Sequence, residues 1–141
     1  MADKEEIERL MRTARVRVRE LEAAFDGGDF KKVVQDAYNV MFMAARATVN
    51  HLGANATSHR AVASIFRKEL IGRHLVNKKY QDHLRKITGY RDEVMKEGSP
   101  EIDQEKAQKI IQASKDFVKI LTEVIEKNPE PVIDYDITDF A

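Results

Sequence analysis

The stretch Gly89-Tyr90-Arg91-Asp92 holds the residues of this chain that are best suited to chemistry. Leu84, Ile87 and Val94 share one face of a helical wheel. Arg91 falls on the same face, and a guanidinium group in an apolar seam needs a partner because burying an unpaired charge is costly. The residues around Arg91 are therefore the first place to look for a functional site.

Two interpretations of Arg91 stay open. In the structural one, Arg91 forms a buried ion pair with Asp36, with Asp92 or with a helix end. In the functional one, its planar guanidinium group is presented at a groove between helices or subunits, where it binds a phosphate. His59, which follows a capping residue, and Tyr38, inside an apolar helix, allow the same two interpretations, and for a lone His or Tyr in a helical protein the structural one is the default.

Metal and cofactor motifs are missing from the sequence. None of the four histidines lies three or four residues from another, and the chain contains no cysteine; the histidines are His51, His59, His74 and His83. No Gly-x-x-x-x-Gly-Lys loop and no Gly-x-Gly-x-x-Gly loop is present. We therefore expect no metal site, no cofactor and no thiol nucleophile.

Charge is unevenly distributed along a chain whose formal net charge is zero. Residues 58–96 carry ten basic and four acidic side chains, whereas residues 97–141 carry five basic and eleven acidic ones. The basic block predicts an anionic partner such as RNA or a nucleotide. Its candidate binding residues are Arg60, Arg85, Lys86, Arg91 and Lys96. In the alternative interpretation, the two blocks face and neutralise each other within the fold.

Periodicity predicts five helices. The central one covers residues 29–52, between Gly27-Gly28 and Gly53, and 12 of the 17 residues from Val33 to Val49 are apolar. A helix that is apolar on every side is surrounded by other helices. Those are expected near residues 3–26, 58–72, 77–97 and 103–126. Gly89, inside the fourth helix, predicts a loose point or a close backbone approach.

The fold class that follows is all-α: a five-helix up-and-down antiparallel bundle with an extended acidic C-terminal tail. We predict one domain over residues 1–127 and an acidic, partly extended tail over residues 128–141. The tail either docks on the bundle or on a partner, or is disordered. No apolar run is long enough to span a membrane, and the N-terminus lacks the features of a signal peptide. We therefore expect a cytoplasmic protein that makes no contact with a membrane.

The order of these elements resembles the HEPN domain (higher eukaryotes and prokaryotes nucleotide-binding), in the branch of small free-standing prokaryotic proteins. The likeness covers residues 5–126. It is generic from Ala107 to Phe117, which is similar to the last helix of the family, and more specific in four earlier stretches in the order of the family. They are Gly28-Asp29-Phe30, Ala37-Tyr38-x-x-Met41-Phe42-x-Ala44-Ala45-Arg46-Ala47, Ser58-His59-Arg60-x-Val62-x-x-x-Phe66 and Leu84 to Arg91. Tyr38 and His59 thus stand at family-motif positions.

The resemblance implies an all-helical protein that forms a homodimer. Many members of the family are metal-independent RNA endonucleases, often toxins that are encoded beside a minimal nucleotidyltransferase antitoxin. Their active pattern is an arginine and a polar residue, followed by a histidine that four to six residues separate from the arginine, doubled across a dimer cleft. In such a pair the arginine stabilises the developing phosphorane charge and the histidine moves the proton of the 2′-hydroxyl.

Only the first half of that pattern is present here. Arg91 and Asp92 match it, but Lys96, Glu97 and Gly98 occupy positions where a histidine would stand, and no histidine follows Arg91. The first hypothesis is therefore a catalytically degenerate HEPN-like protein that binds RNA or a nucleotide, pairs with a nucleotidyltransferase in a toxin–antitoxin-type system, or does both. The second is an RNase in which Arg91 works with a histidine such as His59 or His83, and the third is a pure protein-interaction subunit.

Overall fold

The computed structural model describes residues 3–99 and 101–133, and this part of the chain is helical without strands. The predicted all-α fold of five helices is confirmed. The helices are α1 (Lys4–Asp26), α2 (Phe30–His51), α3 (His59–Ile65), α4 (Lys79–Val94) and α5 (Gln104–Lys127). A π-helical segment, Phe66–Ile71, continues α3 without a break.

Helix α2 is the centre of the bundle. It packs against α1, α3, α4 and α5, and its buried residues fall on all sides of the helix. Helices α4 and α5 pack on α2 more extensively than on each other. The apolar composition of α2 explains this arrangement, because each face that it presents must be covered by another helix.

Side-chain caps fix where the helices begin. Asp29 Oδ1 accepts a hydrogen bond from the backbone N–H of Lys32 (3.1 Å), which starts α2 as the sequence predicts. Ser58 Oγ accepts one from the backbone N–H of Ala61 (3.1 Å), at the start of α3. A cap of this kind satisfies an N–H group that has no partner within the helix. The cap at Ser58 also defines His59 as the first residue of α3.

The loop that leads to His59 is anchored at two points. Buried Asn50 donates from Nδ2 to the carbonyl oxygen of Ala56 (3.0 Å), and its Oδ1 accepts from the N–H of Ala56 (2.7 Å). The carbonyl oxygen of Leu52 accepts hydrogen bonds from the N–H groups of Val132 and Ile133, both at 2.9 Å. These contacts hold the path from α2 to α3 in one conformation.

The predicted fourth helix is shorter than expected. It ends at Val94 rather than near Glu97, because the N–H of Lys96 bonds to the carbonyl oxygen of Glu93 (3.2 Å) and Gly98 takes a φ of 74°. This tightened last turn leaves Lys96 exposed in the loop that follows α4. Of the two alternatives predicted for Gly89, a loose point or a close backbone approach, the second is not found within the chain, since no atom of the described residues would lie within 4 Å of a Cβ built there.

The predicted tail lies only partly within the described residues. Ile133 is buried against the core, so the first part of the tail runs along the bundle. The acidic residues Asp134, Asp136 and Asp139 lie outside the described residues. Among the described residues, no ion pair joins the basic block 58–96 to residues 97–133.

No helix of the described chain has the length and apolar character required to cross a bilayer.

Candidate functional site

Tyr38 and His59 meet where α3 begins beside α2. The hydroxyl oxygen of Tyr38, on α2, lies 2.6 Å from Nδ1 of His59. Phe42, one turn further along α2, stacks on the imidazole with a centroid distance of 4.5 Å and an interplanar angle of 22°. Two aromatic side chains of one helix therefore set the orientation of a histidine that comes from another.

Arg91 of α4 reaches the same tyrosine. Its guanidinium carbon lies 4.8 Å from the centre of the Tyr38 ring, and the ring centre of His59 lies 5.1 Å from that centre. Because both distances end at the Tyr38 ring, the guanidinium and imidazole groups lie no more than about 10 Å apart. Tyr38, Phe42, His59 and Arg91 are called the His59 cluster below.

The structure corrects the expectation that Arg91 is buried in an apolar seam or a buried ion pair. Its side chain is 41% exposed, and its Nη1 lies 3.5 Å from Oδ1 of Asp92, which is itself 59% exposed. Asp36 pairs with Lys32 instead (2.9 Å). Arg91 lies at the edge of the face formed by Leu84 and Val94, where its guanidinium group lies over the Tyr38 ring and its charge stays in contact with water.

Arg46 belongs to the surroundings of His59, although the sequence analysis did not select it. Its Nη2 donates to Oε1 of Glu6 (2.9 Å), and its Nε is buried without a hydrogen-bond partner among the described residues. Arg46 and His59 line a cavity of about 280 Å³, together with Arg17, Asn39 and Thr57. The available signal was a single arginine in the otherwise apolar middle of α2.

The surroundings of His59 favour its neutral form. Desolvation against the aromatic rings lowers the pKa of His59 below its ordinary value of 6.5, and the positive charges of Arg91 and Arg46 lower this pKa further. The imidazole is therefore uncharged near neutral pH. Since Tyr38 occupies Nδ1, Nε2 is the nitrogen left to bond a ligand. In the tautomer whose Nδ1–H donates to the Tyr38 hydroxyl oxygen, Nε2 is an acceptor and can take up a proton.

Two other predicted residues lie close to the cluster. Arg60 follows His59 on α3 and is exposed. Arg85 is exposed, and its Nη2 lies 3.3 Å from Oδ1 of Asp82. It lines a groove of about 410 Å³ between α3 and α4. Phe42 and Arg67 line the same groove, so it continues from the His59 cluster.

The remaining predicted residues lie elsewhere. Lys86 and His83 both line a separate cavity between α4 and α5, and Lys96 lies in the loop after α4. His83 is thus not the histidine that the fold brings to Arg91. Within residues 3–99 and 101–133, no three His, Asp or Glu side chains gather as ligands for a metal ion.

The chain matches a known protein family. A sequence model described as "HEPN domain" matches residues 7–125, which is most of the chain. No curated protein matches the chain.

Proposed function

The chain belongs to the HEPN domain family, and from that membership we propose that it binds RNA through phosphate groups at the His59 cluster. One observation carries the proposal: the hydroxyl of Tyr38 lies 2.6 Å from Nδ1 of His59, the guanidinium group of Arg91 lies over the ring of the same tyrosine, and Arg46 lines the cavity beside His59. Phosphodiester oxygens are the ligands that such an arrangement suits, because guanidinium groups form paired hydrogen bonds with them.

The cavity beside His59 has the size and polarity that a phosphate and its ribose require. Its volume is about 280 Å³, and Arg17, Asn39 and Thr57 contribute donors and acceptors to its wall. The adjoining groove between α3 and α4 extends this basic surface through Arg67 and Arg85. A single RNA strand could lie along the cavity beside His59 and the groove between α3 and α4, with the phosphate that joins two of its nucleotides at the His59 cluster. We therefore expect single-stranded RNA to bind in preference to duplex RNA.

Binding is tested with a fluorescent single-stranded RNA, by anisotropy, in EDTA at about 50 and about 200 mM salt. Arg91→Ala should weaken binding about tenfold. It should also reduce the slope of log affinity against log salt concentration by about one, because about one counterion fewer is released. Arg9→Ala is the matched control, because Arg9 is an exposed arginine on α1 outside the cavities that adjoin the cluster. The proposal is wrong if the RNA affinity is the same at both salt concentrations, or if Arg91→Ala and Arg9→Ala lower it equally.

A second candidate function is metal-independent cleavage of the bound RNA. The observation in its favour is that a neutral His59, with Nε2 available, lies in the same cluster as Arg91. Nε2 would accept the proton of a 2′-hydroxyl while that oxygen attacks phosphorus and the bond to the 5′-oxygen breaks. The 5′-oxygen takes a proton from water, and a 2′,3′-cyclic phosphate remains. Arg91 would stabilise the charge on the phosphorane oxygens.

Cleavage is tested on the same RNA in EDTA by gel electrophoresis. His59→Ala should abolish the cyclic phosphate product while most RNA binding remains, because Arg91 and Arg46 are unchanged. His83→Ala should cleave as the unmodified chain does. If the unmodified chain yields no product, the binding function stands alone and the protein is a degenerate member of its family.

The partners expected from family membership remain proposals. They are a second copy of the chain and a minimal nucleotidyltransferase, paired as toxin and antitoxin. Light scattering of the purified protein tests the homodimer, and co-purification from the native host tests the nucleotidyltransferase. If a nucleotidyltransferase is recovered but RNA binding is absent, the protein is an interaction subunit instead.

A further inference from the structure

Helix α4 carries a second group of polar and aromatic side chains beside the face that presents Arg91. It carries His83, Lys86, Ile87 and Tyr90, which repeat at the spacing of one helical stripe. Helix α5 presents an equivalent stripe of Lys106, Lys109, Ile110 and Ala113. The two stripes line one cavity of about 250 Å³, called the α4–α5 groove below.

The groove exists because α4 and α5 both pack on α2 and leave a gap between them. Its apolar surface comes from Met41 of α2, together with Ile87 and Ile110. The helices are antiparallel, which places Tyr90 beside Lys106, whose Nζ lies 4.1 Å from the centre of the tyrosine ring. The groove therefore combines an apolar floor with aromatic and cationic walls.

Every charged residue that lines the groove is a lysine: Lys86, Lys106 and Lys109. Lys109 also reaches Glu105 at 3.2 Å, but both side chains of that pair are more than three-quarters exposed, so this contact is weak. A ligand that enters the groove consequently meets a positive field, and an anionic group on the ligand would bind the ammonium groups.

His83 contributes a polar ring atom that lacks a hydrogen-bond partner within the described part of the chain. Its Nδ1 is buried and has no hydrogen-bond partner among the described residues. Desolvation, followed by the charges of Lys79 and Lys86, lowers the pKa of His83, so its ring is neutral near pH 7 and its free nitrogen can accept or donate one hydrogen bond. A buried polar atom without a partner is destabilising, and a ligand that supplies the partner gains affinity.

We propose that the α4–α5 groove binds a small anion whose body is a flat heteroaromatic ring. The ring lies on Met41, Ile87 and Ile110, where a thioether and branched side chains contact its faces. A polar ring atom bonds to His83, and the anionic group lies at the lysines near the opposite end of the groove. A nucleoside monophosphate and an aromatic carboxylate share this chemistry.

This site is distinct from the proposed RNA site, because none of the residues that line the α4–α5 groove belongs to the His59 cluster. Isothermal titration calorimetry of the full chain with three probes tests it: AMP, indole-3-acetate and inorganic phosphate. At least one ring-bearing probe should bind at least about tenfold more tightly than phosphate alone. Binding of AMP alone identifies a nucleotide site, and binding of indole-3-acetate alone identifies a carboxylate site. If neither ring-bearing probe binds at about 1 mM, the proposal is wrong.

Variants locate the binding. Lys106→Ala combined with Lys109→Ala should weaken the ring-bearing probe about tenfold or more, because charge-assisted contacts to the anion are lost. Lys119→Ala, an exposed lysine of the same helix outside the groove, is the control and should bind as the unmodified chain does. His83→Phe keeps an aromatic ring at this position, removes both ring nitrogens and should also weaken binding. Binding that Arg91→Ala removes and the lysine variant leaves intact would assign the probe to the His59 cluster and refute this inference.

Discussion

The hydroxyl oxygen of Tyr38 lies 2.6 Å from Nδ1 of His59, although the two residues belong to different helices. The ring of the same tyrosine carries the guanidinium group of Arg91 at 4.8 Å. Tyr38 therefore contacts His59 and Arg91, the two residues that bind RNA in the proposed function. It also determines which nitrogen of His59 faces a ligand. Its hydroxyl group and its ring perform separate tasks that substitution can separate.

Replacing Tyr38 with phenylalanine removes the hydrogen bond to His59 and keeps the ring under Arg91. Loss of one such bond should lower the free energy of unfolding by about 1 kcal/mol. Affinity for single-stranded RNA should fall a few-fold, because the imidazole loses its fixed orientation. Urea denaturation and anisotropy measure the two effects. Tyr80→Phe is the control, since the Tyr80 hydroxyl makes no hydrogen bond within the described residues; an equal loss of RNA affinity there would contradict this role of Tyr38.

Acidification should destabilise the protein through His59 and His83. The folded state lowers the pKa of both groups below the ordinary value of 6.5, so the unfolded chain binds more protons than the folded one. The contribution of these two histidines to the free energy of unfolding is complete above the pKa of about 6.5 that they have in the unfolded chain. It is lost as the pH falls from there through the lower pKa values of the folded state.

Urea denaturation at about pH 7.5 and about pH 5.5 measures this dependence. The midpoint should be lower at the acidic pH. His59→Ala and His83→Ala should each reduce the difference between the two pH values, and the double variant should reduce it further. A difference that neither substitution changes would show that other groups cause it.

Asn50→Ala should affect both stability and the site. Asn50 is buried, and its two hydrogen bonds satisfy the backbone N–H and C=O of Ala56, in the loop that leads to His59. Without the amide, two buried backbone groups lose their partners, which costs about 2–3 kcal/mol of unfolding free energy. RNA binding should weaken as well, because the start of α3 loses its anchor. Asn55→Ala, in the exposed part of the same loop, should change neither quantity.

The bundle could be predicted from the sequence because its signals are local. The apolar surface of α2 and the cap at Asp29 depend only on neighbours in the chain, and the structure has both. The end of α4 was predicted about three residues too late, because the tightened turn at Lys96 has no clear signature in composition.

The site was predictable only in its parts. Tyr38, His59 and Arg91 could each be selected from the sequence, but a helical wheel shows which face a residue occupies and not which side chain of another helix meets it. Their assembly depends on the loop that Asn50 anchors and on how α4 lies across α2. Arg46 was overlooked because its partner, Glu6, is 40 residues away in sequence.

Two glycines should respond to alanine in opposite ways. Gly53 has a φ of 124°, and a Cβ there would lie 2.6 Å from the carbonyl oxygen of Ile133, so Gly53→Ala strains the backbone and displaces the segment that bonds to Leu52. We expect a loss of about 1–3 kcal/mol in unfolding free energy.

Gly89 lies inside α4 with open space around its Cβ position, so Gly89→Ala should stabilise the protein by about 1 kcal/mol through helix propensity alone. Urea denaturation of both variants measures the pair. Destabilisation by Gly89→Ala would reveal a contact at that face of α4, such as one made by a second copy of the chain.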